Sequence, residues 1–142
     1  MYDPERFLKA QESMYEIALT EIKKGHKFSH WIWYIFPQLR ALGKSRMANY
    51  YGIENLDEAK EYLTNETLRA RLLEISQALL ELVTNDSVAV MGHIDSVKLL
   101  SCMTLFHLAD PTCEIFTKVI DKYYSGQLDE KTVALCKTVD SD

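Results

Sequence analysis

Apolar side chains recur every three or four residues through nearly all of this chain, a period that fits helices and not strands. Phe7, Ala10, Met14, Ile17, Ala18 and Ile22 make one such stripe, and Leu68, Leu72, Ile75 and Leu79, with Leu82 or Val83, make another. Only five glycines and three prolines interrupt the 142 residues. The expected fold is therefore all-α, a compact single-domain bundle of about seven helices. One segment stands apart. Near residues 95–108, Val97, Leu99, Leu100, Met103, Leu105 and Phe106 leave few polar sides, and a helix apolar nearly all round belongs at the centre of a fold.

Punctuation between the stripes follows the chemistry of helix ends. Asp3 is placed to cap a first helix with Pro4 at its first position, and Gly25 stops that helix after Lys24. Ser29 is placed to cap a short helix ended by Pro37, although the aromatic and β-branched content of that piece leaves a strand open on pattern alone. Ser45 opens a helix that ends at Gly52, Asn55 or Asp57 opens the next, and Asn65 caps a longer one. Asn85-Asp86-Ser87 reads as a turn, and Asp95 or Ser96 as the cap of the central helix. Pro111 begins a further helix closed by Ser125-Gly126. Leu128 to Val139 forms the last, with Asp140-Ser141-Asp142 expected to fray.

Composition narrows the function classes. An apolar fraction of 47% and a charged fraction of 26% fit a folded soluble domain. No apolar run approaches the roughly 20 residues of a membrane span, and Met1 to Arg6 lacks the basic start and apolar core of a signal peptide. A cytoplasmic location without membrane contact is the expectation. Cys102, Cys113 and Cys136 are an odd number with no CxxC pair, so they read as reduced, largely structural thiols. Net charge is −5, which argues against a nucleic-acid partner.

The charge is uneven, however. No Asp or Glu occurs from Ile22 to Ile53, a stretch that carries Lys23, Lys24, Lys27, Arg40, Lys44 and Arg46 as well as both tryptophans, Trp31 and Trp33. A positive island with aromatic walls suits a small anionic ligand that also has a flat face. Trp31, Trp33, Tyr34 and Phe36 cannot all face one core if the segment is helical, so at least one should face solvent, a cleft or a partner. Gly43-Lys44-Ser45 lacks the upstream glycine and preceding strand of a P-loop; it is at most a helix start that could receive an anion. His26 and His30 are four apart, but Gly25 and Ser29 interrupt the helix and no cysteine is near, so no metal site is assigned. His30 reads as a hydrogen-bonding or acid–base side chain, or as a packed one.

A second polar cluster, Asp95, Lys98 and Ser101, leads into the central helix. Polar groups on such a helix need partners, and this strip either lines a pocket or is structural.

At these residues the chain resembles a small family of unknown function found in bacteria and fungi, which has a mycobacterial hypothetical member and is sometimes mislabelled calpastatin. Phe7, Ala10-Gln11, Gly25, Lys27, Ser29-His30-Trp31, Trp33, Phe36-Pro37-Gln38, Leu42-Gly43, Ser45, Glu58-Ala59, Tyr62-Leu63, Asp95, Lys98-Leu99, Ser101 and Met103-Thr104-Leu105-Phe106 carry the resemblance, over nearly the whole chain. It implies a compact all-helical fold and does not supply an activity. Cys102 stands where a small residue, often Ser, is expected. The fold also looks distantly similar to that of a bacterial family acting on N-glycosidic bonds of riboflavin precursors or ADP-ribose derivatives, an analogy that carries no residues over.

The leading functional expectation is a pocket for a nucleotide- or ADP-ribose-like anion, with or without hydrolysis of an N-glycosidic bond. In it Asp95 supplies the carboxylate that such hydrolysis needs at the anomeric carbon. Gln11, His30 and Gln38 orient the ligand, Lys27, Lys98 and Arg46 hold phosphate, and Trp31, Trp33 and Ser101 line the site. The alternative is a non-enzymatic module that docks a protein through a Trp31/Trp33 face. Neither reading calls for a cofactor, and the oligomeric state is not legible.

Overall fold

The computed structural model describes residues 3–140, and their side chains as far as Lys137. Among the described residues there are nine α-helices and no strand: α1 (Glu5–Lys23), α2 (Ile32–Ile35), α3 (Arg46–Tyr51), α4 (Leu56–Thr64), α5 (Glu66–Leu80), α6 (Ser87–Met91), α7 (His93–Ala109), α8 (Ile115–Tyr124) and α9 (Glu130–Asp140). A 3-10 turn covers Arg40–Leu42. The all-helical expectation holds, with nine helices in place of about seven. Short pieces account for the excess. Asp86, for instance, accepts hydrogen bonds from the Val88 and Ala89 N–H groups and turns a predicted turn into the start of α6. The last helix runs through Asp140, and the remainder of the tail expected to fray, Ser141-Asp142, lies outside the described residues. No described helix is long and apolar enough to cross a membrane.

The caps at Ser45, Asn55 and Asn65 form as the sequence suggests: each side-chain oxygen accepts from the N–H three residues on, at 3.1, 2.9 and 3.1 Å. Two other expected caps do not. Trp31, not Ser29, stands at the start of α2, because the Ser29 hydroxyl is bound elsewhere. The central helix starts at His93 rather than after Asp95 or Ser96. Gly92, at φ +86°, lets α6 turn directly into α7 in a conformation that a side chain would oppose. Asp95 thus lies in the first turn of α7, and the Ser96 hydroxyl bonds to that of Ser87 at 2.6 Å.

Helix α7 is the centre of the molecule, packing on α2, α4, α6, α8 and α9. Leu99, Cys102, Met103, Leu105 and Phe106 are fully buried, and the Phe106 ring lies 5.0 Å from Tyr62 of α4 and 6.0 Å from Phe116 of α8. Burial of each such side chain contributes about 1.5–3 kcal/mol. The helix is not apolar-buried on every side, however: Ile94 and Val97 are mostly exposed, the latter at 58%. Burial pushes the Cys102 thiol well above its ordinary pKa, and Cys136 is buried too, as expected of structural thiols.

Between α2 and α4 the chain makes a closed loop. Arg40 N–H donates to Ile53 O and Ile53 N–H to Gln38 O, at 2.8 and 2.9 Å. The buried Arg6 fastens α3 and its end by donating to Tyr50 O and Gly52 O, and it pairs with Glu58 at 3.4 Å. Gly43 and Gly52 are needed here for space. A Cβ on Gly43 would sit 2.4 Å from the Ala48 Cβ, and one on Gly52 would sit 2.5 Å from the Arg40 Cα.

Candidate functional site

The acid-free stretch folds into two environments. In the first, Glu21 of α1 turns back onto the loop after Gly25. One carboxylate oxygen accepts from the Phe28 N–H at 2.8 Å, the Ser29 N–H at 2.9 Å and the Trp31 indole Nε1 at 3.0 Å. The other accepts from the Ser29 hydroxyl at 2.6 Å. Burial alone raises the pKa of this carboxyl, but the four hydrogen bonds together outweigh it and hold the group at about 2. Trp31 is fully buried. Lys27 lies over its ring, with Nζ 4.9 Å from the centroid, donates to Ser29 O at 2.5 Å and pairs with Asp95 at 2.8 Å. The donors and charges of this region satisfy one another.

The second environment is open. Gln38, the Leu42–Ser45 loop and Ala48 face His93, Ile94, Val97, Lys98 and Ser101 of α7 across a cavity of ≈ 480 Å³, with Asp129 and Lys131 also lining it. Lys44, Lys98 and Lys131 all line it, against a single carboxylate. That carboxylate, Asp129, is already engaged. It accepts from Ser101 Oγ at 3.1 Å and from the Thr132 N–H and hydroxyl at 3.2 and 2.5 Å, while its own N–H donates to Thr104 Oγ1 at 3.0 Å. Asp129 therefore caps α9, fastens it to α7, and so brings Lys131 to the cavity that Lys98 lines. A void of ≈ 10 Å³ under Trp33 adjoins this cavity and shares Gln38, Ala48 and Lys98 with it. Lys98 lies over the Trp33 ring at 5.4 Å. The buried Trp33 Nε1 has no hydrogen-bond partner among the described residues.

Asp95 links the two environments. Its Oδ2 meets Lys27 and its Oδ1 lies 4.0 Å from Lys98. The loop after Gly25 and the start of α7 thus come together, as the sequence suggests, but through an ion pair and not across a cavity. Of the site residues read from sequence, Gln38, Lys98 and Ser101 line the cavity and Trp33 lines the adjoining void. Lys27, Trp31 and Asp95 form the filled cluster. Gln11 is elsewhere, buried at 2% exposure, with its Nε2 donating to Tyr34 O at 2.7 Å and to Tyr62 Oη at 3.2 Å and its Oε1 accepting from Arg71. His30 and Arg46 are exposed and line no part of the cavity. Of the four aromatics that could not share one core, Trp33 is the one left partly exposed; Trp31, Tyr34 and Phe36 are buried.

His93, at the head of the second polar cluster, also lines the cavity, whereas Asp129 and Lys131 are not legible as lining residues in the sequence. The pattern Asp129-Glu130-Lys131-Thr132 does announce a capped helix start, but nothing local says that it returns over Ser101.

The family described as "Protein of unknown function (DUF1810)" matches residues 1–136. The chain belongs to this family. Its fold is shared by the crystal structure, at 1.38 Å, of the conserved hypothetical protein Rv1873 from Mycobacterium tuberculosis. The two are 39% identical over 96% of this chain and 97% of that one, with a TM-score of 0.94. No curated protein matches. Membership in the DUF1810 family thus fixes the architecture and leaves the chemistry to be argued from the cavity.

Proposed function

We propose that this protein binds a small anionic ligand of the phosphate-bearing, nucleotide-like kind in the cavity beside α7. The observation that carries the reading is the convergence of Lys44, Lys98 and Lys131 on one cavity whose single carboxylate is held by Ser101 and Thr132. Lys44 and Lys131 make no ion pair among the described residues, and Lys98 is only 4.0 Å from Asp95, so a bound anion supplies counter-charge that the cavity otherwise lacks. Leu42, Ala48, Ile94 and Val97 give the same cavity apolar wall for a flat organic part.

The reading is binding rather than turnover. Asp95, the carboxylate that N-glycosidic hydrolysis would use, gives its oxygens to two lysines and does not line the cavity. A protein-docking face built on both tryptophans loses its main anchor, since Trp31 is wholly inside. Thermal unfolding in the presence of inorganic phosphate, pyrophosphate and nucleotides tests the proposal. A ligand at a hundred times its Kd should add about 2.7 kcal/mol of stability. No saturable stabilisation by any of them at millimolar concentration would overturn it.

A further inference from the structure

The cavity continues past Lys131. Val97, Asp129 and Lys131 also line a second lobe of ≈ 740 Å³ that extends to Tyr124, so the two lobes form one groove along the exposed side of α7. The charge along that groove is graded. The first lobe sets three lysines against Asp129, whereas the second sets Lys131 alone against Asp129 and Glu130. The second lobe is otherwise walled by Leu100, Tyr124 and Leu128, and the Tyr124 ring is fixed by its hydroxyl donating to Ser96 O at 2.6 Å. A flat ring fits against such a wall. A carboxylate and the Gln127 amide suit hydroxyl groups, and the carboxylate repels a second anion.

We infer that the ligand carries its negative charge at one end only: a phosphate monoester on a neutral, hydroxylated ring system, of the chemistry of a nucleoside monophosphate. Its phosphate lies between Lys44 and Lys98 and its ring part lies toward Tyr124, with Glu130 selecting against a second phosphate at the far end. This rests on the anion site proposed above and adds a direction and a charge limit to it.

The test is calorimetric titration of the full chain with inorganic phosphate, a nucleoside monophosphate, and the same nucleoside carrying a second phosphate on its ribose. The monophosphate should bind about tenfold more tightly than either of the others. Glu130→Lys, at an exposed position, should make the doubly phosphorylated nucleoside the tightest of the three, and Glu130→Gln should bring the two nucleotides to within about threefold. Inorganic phosphate binding as tightly as the monophosphate, or an order of preference that Glu130→Lys does not change, would overturn the inference while leaving the anion site standing. Failure of all three to bind would overturn both.

Discussion

Residues 25–31 and residues 38–48 lie in one acid-free stretch, and each adjoins a lysine stacked on a tryptophan, yet they do opposite things. Lys27 has a side chain 6% exposed and is held by Asp95, Ser29 O and the Trp31 ring. Lys98, which lines the cavity with the second region and lies over Trp33, is 25% exposed and 4.0 Å from the far oxygen of the same Asp95. Asp95 neutralises Lys27, and the rest of the difference comes from Glu21. It lies just outside the stretch and supplies the first region with a buried acceptor; the second has none, since Glu54 at its other end pairs with the exposed Arg40. An acid-free sequence is therefore not the same thing as an acid-free surface. The carboxylate at its edge helps to fill one half, while the other half borders an open cavity.

The contrast can be broken most severely at Glu21. Replacing it with alanine strands three N–H donors and a hydroxyl, and the folded state should lose about 3 kcal/mol in denaturant unfolding. Gly43→Ala acts on the other region: the new methyl collides with Ala48, and stability should fall by about 2 kcal/mol. A milder variant sharpens the first region's chemistry. Glu21→Gln keeps an acceptor oxygen and should cost about 1 kcal/mol at neutral pH. A carboxyl whose folded pKa is depressed contributes stability above its unfolded value of 4.5, and that contribution is lost as pH falls toward about 2. Stability measured across that window should therefore change less with pH in Glu21→Gln than in the natural chain.

What was legible in the sequence was what is decided locally. Ser45, Asn55 and Asn65 cap because each reaches an N–H three residues away, and the stripe on α5 buries Leu68, Leu72, Ile75 and Leu79 as its period requires. Misreadings arose where a distant partner won. Ser29 gave its hydroxyl to Glu21 instead of to a helix start. Gln11, with the amide of a ligand-orienting residue, is taken into the core by Tyr34 O, Tyr62 and Arg71. Ile17 of α1 is exposed despite its stripe position, and Val83 lies past the end of α5, where Leu82 packs on the core instead. Half of the cavity was out of reach for the same reason. Lys131 joins Lys98 only because Asp129 bonds to Ser101 and Thr104, and neither contact leaves a local mark.

The smallest expected change in stability carries the most information. Lys44 and Lys131 are exposed, so the double variant Lys44→Ala/Lys131→Ala should unfold within about 0.5 kcal/mol of the natural chain. Titration with inorganic phosphate, run beside Lys27→Met, separates the two regions directly. The double variant should bind at least about tenfold more weakly, whereas folded Lys27→Met should bind as the natural chain does. Phosphate binding that survives in the double variant and is lost in folded Lys27→Met would contradict the division drawn here.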